Sequence, residues 1–238
     1  MKETIEGIIL NETNYGETSK ILNILTFDHG YISVMSKGSR TMKSKLRGIS
    51  MKFVYASFTI NYKEKGISTL IEGSIINSLK NTMTDFSKMI YLNRIVNIVK
   101  QVLKDYNDKN LFPIVRDALL KIEDGFDPKV ISMIVEVKLL TFLGVKPNFL
   151  ECSLCGSQEI LTFDLNIPGS VCKNCYQESF LFSKNTLKLL NLFQNIDIFK
   201  IDKLNLTSNK IIEELEFFLK EYYEEYTGIF LEIKKIKV

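Results

Sequence analysis

The sequence predicts an α+β chain: a small five-stranded β-barrel, then an all-helical domain interrupted by a zinc ribbon. Three observations carry this expectation. Over the first 80 of 238 residues, apolar side chains alternate or gather in short β-rich runs, and from Asn81 onward they recur at the helical period. Between about 150 and 182 the pattern gives way to a C-x2-C-x16-C-x2-C array that uses all four cysteines of the chain.

Strands are expected near 4–12, 19–27, 30–36, 53–62 and 67–77. Asp28-His29-Gly30 supplies a tight turn between the second and third, and Lys63-Glu64-Lys65-Gly66 another between the fourth and fifth. In the fourth, Val54, Ala56, Phe58, Ile60 and Tyr62 share one face and are the expected core. Phe53, Tyr55, Ser57, Thr59 and Asn61 share the other. Five strands in so short a segment, with one long polar connection over 37–52, suit a partly open barrel of the OB type. A sandwich would satisfy the same strand count.

Helices are expected over 85–106, 111–123, 127–143, 183–195 and 208–227. The third is the best punctuated, with Asp127 at the N-cap, Pro128 at the first helical position and Gly144 just past the end. Its Val130, Ile131, Ile134, Val137, Leu140, Phe142 and Leu143 ring most of the circumference, which marks a buried helix. Ser183 can cap the fourth. The last carries a stripe at Ile211, Leu215, Phe218, Tyr222 and Tyr226, with Glu213, Glu214, Glu216, Glu221, Glu224 and Glu225 turned mostly to solvent and Gly228 closing it. The expected domains are therefore 1–80 (OB fold), 81–149 (helical, first part), 150–182 (zinc ribbon) and 183–238 (helical, C-terminal part).

Cys152 and Cys155, with Cys172 and Cys175, have the spacing that holds one tetrahedral Zn²⁺ by four thiolates, with Gly156 and Gly169 supplying the tight bends beside the pairs. Such a closed site leaves no open position for substrate, so its expected role is to fold a segment with little apolar content of its own. Structural zinc contributes roughly 10–16 kcal/mol of binding free energy in small peptides, enough for that task. Disulfides would need an oxidising compartment, and Met1-Lys2-Glu3-Thr4-Ile5-Glu6 lacks the apolar stretch of a signal peptide, so a cytoplasmic chain is expected. A C-x-x-C redox pair remains the rival use, although neither pair opens a helix in a thioredoxin-like pattern.

Composition bounds the function. The longest uncharged run, Phe53 to Tyr62, has 10 residues, half of the roughly 20 that a membrane span needs. No membrane partner is expected. The sole histidine, His29, lies in a turn and reads as solvated, and no phosphate-binding G-x-x-x-x-G-K-[ST] loop occurs, so no catalytic centre is expected. Net charge is only +3, but its distribution is uneven: the 35 residues between Asp28 and Glu64 contain no carboxylate. Within them Lys37, Arg40, Lys43, Lys45 and Arg47 stand on one connection, a natural partner for phosphates. On an OB body the adjoining loops would add Tyr15 and Lys20 on one side and Lys63 and Lys65 on the other, with tyrosine offering a stacking face to unpaired bases. The basic run over 86–104 (Lys88, Arg94, Lys100, Lys104) spreads around its helix and reads as a solvated surface. A transcription accessory factor combining a zinc ribbon with an OB body is the alternative nucleic-acid reading, and a thiol redox protein the alternative outside it.

Several segments resemble a known family. Glu6-Gly7-Ile8-Ile9-Leu10, Tyr15-Gly16-Glu17-Thr18-Ser19-Lys20-Ile21-Leu22, Thr26-Phe27-Asp28-His29-Gly30, Lys37-Gly38-Ser39-Arg40 and Lys45-Leu46-Arg47-Gly48 resemble the N-terminal segment of the bacterial recombination mediators of the RecO family, and the cysteine array with Cys155-Gly156 is similar to their zinc ribbon. The resemblance covers the chain in order, although 196–238 matches only in general character. It implies an OB domain, a helical domain and one structural Zn²⁺. It also implies a non-enzymatic role in recombinational DNA repair: binding single- and double-stranded DNA, annealing complementary strands and, with RecR, loading recombinase on DNA coated by single-strand-binding protein. The acidic C-terminal tail of that protein is an implied partner whose pocket the sequence does not locate, and the implied location is the nucleoid-associated cytoplasm. Ser36 departs from the family pattern, where a small apolar residue more often precedes the Lys-Gly pair, and little consequence is expected. Some relatives lack the cysteines, so zinc is implied to support the fold and not the annealing.

Overall fold

The computed structural model describes residues 1–204, 206 and 208–231; the last seven residues of the C-terminal helical part lie outside the described residues. The chain divides into two compact units, Met1–Pro128 and Lys129–Val238.

In the first unit, β1 (Lys2–Tyr15), β2 (Ser19–Thr26), β3 (Gly30–Ser36), β4 (Tyr55–Asn61) and β5 (Ser68–Asn77) close a barrel in the order β1-β2-β3-β5-β4. The long β1 makes closure possible: Lys2–Ile8 pairs with β4 and Gly7–Tyr15 with β2, and a bulge between Ile9 and Asn11 bends it from one neighbour to the other. Gly7 sits where the two pairings overlap, and a Cβ there would meet Ile24 Cγ2 at 2.5 Å. The last seam is a short parallel one, Val34 with Ser68 and Met35 with Thr69. This strand order, with its parallel β3–β5 closure, is the OB-type barrel expected from the strand pattern, closed where a partly open form was expected.

The barrel interior holds Ile5, Ile9, Leu22, Ile24, Val34, Phe58 and Leu70, together with Val54, Ala56 and Ile60 from the expected face of β4; Tyr62 packs at its rim. The opposite face is not wholly solvated. Phe53 and Tyr55 are buried as well; α3 (Leu111–Glu123) packs on Tyr55, whose ring lies 6.2 Å from Phe112 and whose hydroxyl donates to Glu6 Oε2 at 2.9 Å. His29 also departs from expectation. Its ring stacks on Tyr62 at 4.1 Å, and Nε2 lies 3.1 Å from Glu3 Oε1, so it latches the barrel end instead of facing water.

A left-handed Leu79 (φ 51°) turns the chain from the barrel into α1 (Lys80–Met83), which is followed by α2 (Phe86–Asp105). Asp85 caps α2 by accepting from the Lys88 N–H. Glu123 reaches back from the end of α3 to accept from the Asn81 and Thr82 N–H groups and the Thr82 hydroxyl, satisfying the orphan donors of α1.

The second unit contains α4 (from Pro128 to Phe142), the ribbon strands β6 (Asn148–Cys152), β7 (Ile160–Asp164) and β8 (Gly169–Cys172), and helices α5 (Lys184–Asn195) and α6 (Asn209–Thr227). As its apolar circumference predicts, α4 is buried on nearly every side. It ends at left-handed Gly144, where the Val145 N–H returns to the Leu140 carbonyl at 3.0 Å. Ser183 caps α5 by accepting from the Thr186 N–H at 3.2 Å. Two expectations are corrected here. Glu214 is buried, not solvent-facing: its carboxylate accepts from the Ser183 N–H at 2.8 Å and the Thr186 hydroxyl at 2.6 Å, a second cap on α5 supplied by α6. The ribbon is also less apolar-poor than it reads, since Phe149, Phe163 and Phe182 interlock with Phe218 of α6 at centroid distances of 5.1–5.9 Å.

Candidate functional site

The connection from Ser36 to Tyr55 is an ordered run of turns, not a loose loop. Arg40 N–H donates to the Thr18 carbonyl at 2.8 Å, Arg40 Nη1 to the Gly16 carbonyl at 3.0 Å, and Gly38 N–H to Ser19 Oγ at 3.2 Å, so the connection is sewn to the β1–β2 turn. Its return is fixed by the fully buried pair Ser36 Oγ···Ser50 Oγ at 2.8 Å and by Ile49, which plugs the gap over Gly73. A Cβ on Gly73 would meet Ile49 Cδ1 at 2.4 Å, so glycine is what admits the plug. Ser36 therefore has a specific partner in this chain, contrary to the expectation that it matters little.

On this frame Lys37, Arg40, Lys43, Lys45 and Arg47 are exposed, and among the described residues none of them is in an ion pair. Tyr15, 55% exposed, stands at the same end of the barrel. Lys20 is there too but is engaged: its side chain is 16% exposed, with Nζ 2.8 Å from Glu12 Oε2 and 3.3 Å from the Ser50 carbonyl. Lys63 and Lys65 are exposed on the separate β4–β5 turn, which runs from Tyr62, stacked on His29 of the β2–β3 turn, to Ser68, which pairs with Val34 and whose Oγ accepts from the Lys63 N–H at 3.1 Å. The structure thus brings together Tyr15 and the five cations of the connection, and leaves the 63–65 pair apart.

Sequence reasoning passed over Lys52. Its Nζ donates to Asn93 Oδ1 of α2 at 2.7 Å and lies 4.4 Å from the Phe53 ring centroid. Burial, then the neighbouring Lys100 charge, push its pKa down, against an opposing pull from Glu12. The signal that could have found it is the lack of any carboxylate from Phe86 to Lys104.

In the second unit the Sγ atoms of Cys152, Cys155, Cys172 and Cys175 all lie within 4.8 Å of one another, and no disulfide joins them. Zn–S bonds near 2.3 Å at tetrahedral angles put sulfurs about 3.8 Å apart; Cys155 and Cys172 stand at 3.6 Å. The four thiols fit such an ion. Backbone N–H groups, chiefly that of Cys172, bring the Cys152 thiol down to about 6, while the sulfurs of Cys155 and Cys172 push Cys175 up to about 12. One thiolate forms readily, while those of Cys155 and Cys175 are opposed by neighbouring sulfurs, a frustration that a bound dication would relieve.

The profile for "Recombination protein O N terminal" matches residues 1–79, and that for "Recombination protein O C terminal" matches 83–234. The chain belongs to the recombination protein O family. Proteins named DNA repair protein RecO from Bacillus pumilus and Bacillus subtilis are each 32% identical to it over 235 residues, covering 97% of this chain and 91% of theirs. One from Halalkalibacterium halodurans is 28% identical, covering 97% and 92%. The boundary between the two family segments falls at the left-handed Leu79 and the short α1, whereas α2 and α3 cluster with the barrel. Among the described residues no helix is long and apolar enough to cross a membrane.

Proposed function

We propose that the protein acts in recombinational DNA repair as a non-enzymatic mediator, binding single- and double-stranded DNA through the end of its barrel and helping complementary strands to anneal. The observation that carries this reading is the carboxylate-free connection, whose five exposed cations are held on an ordered frame beside exposed Tyr15. Cations fixed in this way neutralise phosphates and lower the repulsion between two strands, while their bases stay free to pair. No acid, base or nucleophile is required. Family membership supports the wider role: cooperation with RecR in loading recombinase on DNA coated by single-strand-binding protein, and recognition of the latter's acidic tail, in the nucleoid-associated cytoplasm. In this reading 1–80 is the nucleic-acid module, and the helical parts 81–149 and 183–238 carry the ribbon 150–182.

The ion suited to four thiolates in this arrangement is Zn²⁺, held by Cys152, Cys155, Cys172 and Cys175; when bound it supplies cross-linking and no chemistry. That all four sulfurs converge favours this over a redox pair, which needs only two.

The test is the salt dependence of binding to single-stranded oligonucleotides. Engagement of five phosphates predicts a log–log slope of about −3.5. Charge reversal at Arg40 and Lys45 should weaken binding while leaving the fold intact. Because the Arg40 guanidinium also braces the β1–β2 turn, Lys43→Glu/Lys45→Glu is the cleaner pair. Unchanged affinity at low salt in that variant would reject the assignment.

A further inference from the structure

The basic run on α2 spreads around its helix, as expected, yet part of it lines up on one face. Asn93, Asn97, Lys100 and Lys104 recur at intervals of three and four residues and so share one face of the helix, while Lys88 and Arg94 lie off it. The helix is pinned along the barrel at two points. Near its middle Asn93 accepts from Lys52 Nζ at 2.7 Å, and just past its end Asn107 Oδ1 accepts from the Tyr31 N–H of β3 at 2.6 Å. Fourteen residues at 1.5 Å each span about 21 Å, close to the length of β3 itself. The stripe therefore starts beside the basic connection and runs toward the β2–β3 turn. Near its start the Lys100 charge repels Lys52 and that of Glu12 attracts it, and Glu12 is already paired with Lys20 at 2.8 Å.

We infer that Lys52, Lys100 and Lys104 form a second phosphate-binding track, which takes a single DNA strand from the barrel end onto α2. This inference rests on the DNA-binding reading above. The Lys52 and Lys100 charges repel, an effect that Glu12, already paired with Lys20, only partly offsets, and a phosphate oxygen lying between them removes that repulsion while gaining attraction from both. Asn97, exposed on the same face, adds a neutral donor for a phosphate or sugar oxygen. Bases directed away from such a track stay accessible to a second strand. The track thus lengthens the stretch of DNA presented for pairing beyond what the barrel end alone would hold.

The experiment uses the full-length chain and thymidine oligonucleotides of two lengths, one short enough to occupy only the barrel end and one several times longer. In Lys100→Ala/Lys104→Ala the log–log salt slope for the longer strand should fall in magnitude by about 1.4, two phosphates at about 0.7 each. Its occluded site size should shrink, and binding of the short strand should not change. Alanine is a strong helix former, and helical circular dichroism checks the fold. Independently, the long strand should protect Lys52 and Lys100 of the unsubstituted protein from amine acylation. An unchanged slope in this variant alongside a reduced slope in Lys43→Glu/Lys45→Glu would overturn the track and leave the barrel reading standing. Unchanged slopes in both would overturn the barrel reading and the track with it. Equal acylation with and without DNA would overturn the track by itself.

Discussion

Ser36 and Ser50 show how one buried hydrogen bond can hold a functional surface in shape. Both are fully buried, and each hydroxyl has the other as its partner at 2.8 Å. Replacing one by alanine strands the other, at a cost of about 1–3 kcal/mol. The double variant Ser36→Ala/Ser50→Ala should lose less than the sum of the singles, because no unpaired hydroxyl remains; urea unfolding of the four proteins gives the cycle, and strict additivity would mean that the pair is not coupled. Glu214 makes a comparable case with a charge. Burial pushes its carboxyl up, but the Thr186 hydroxyl and the Ser183 N–H outweigh this and leave it below the ordinary value of 4.5. A group lowered on folding stabilises above its unfolded pKa and loses that contribution as pH falls through its folded pKa. Glu214→Gln should therefore be less stable than the parent near pH 7 by about 1–2 kcal/mol. The difference should shrink as acid is added below pH 4.5. Denaturant unfolding at several pH values checks this, and a difference that grows with acid would contradict it.

With the proposed ion bound, the ribbon would have two kinds of adhesive, thiolate–metal bonds at its knuckles and aromatic packing at its strands. Chelation removes only the first. Phe149, Phe163 and Phe182 keep their partner Phe218 in α6, so metal loss should loosen the turns around the cysteines before the strands. Lys173, exposed between the candidate ligands Cys172 and Cys175, is the reporter: trypsin should cut after it at least about tenfold faster in the chelated protein. Equal rates with and without metal would show that the aromatic packing alone suffices. The same division explains what was legible in the sequence. Barrel strands alternate and helices carry caps and stripes, so their limits could be read to within a few residues, and the matched cysteine pairs announced their own convergence. Strands β6–β8, of four or five residues each, have no periodicity to read because the cysteines and the aromatic cluster define them. Phe53 and Leu79 adopt left-handed φ values of 70° and 51° without being glycine, which local propensity could not foretell. His29 and Glu214 were misread, and Lys52 left without a role, for one reason: each meets a partner from a segment remote in sequence, and turn or helix-face rules see only neighbours.

Charge is divided between the two units in a way that total charge conceals. Residues 1–128 carry 18 Lys/Arg against 14 Asp/Glu, and residues 129–238 carry 13 against 14, so the balance is +4 in one and −1 in the other. The cations of the second unit are partly spent on its own carboxylates, as in Lys129–Glu216 at 2.7 Å and Lys220–Glu221 at 2.6 Å, whereas those of the basic connection are not. A polyanion attracted by unopposed charge should settle on the first unit, with the second acting through its fold and not through its field. Photo-crosslinking of a single-stranded oligonucleotide to the whole protein, followed by peptide mapping, tests this. Crosslinks should concentrate in the peptides holding Tyr15 and Lys37–Arg47, with those holding Lys52 and Lys100 next, and should fade together as salt rises. A dominant crosslink between residues 129 and 231 would show that DNA is drawn to a surface where carboxylates match the cations. In that case charge on the barrel could not be what brings the strands together.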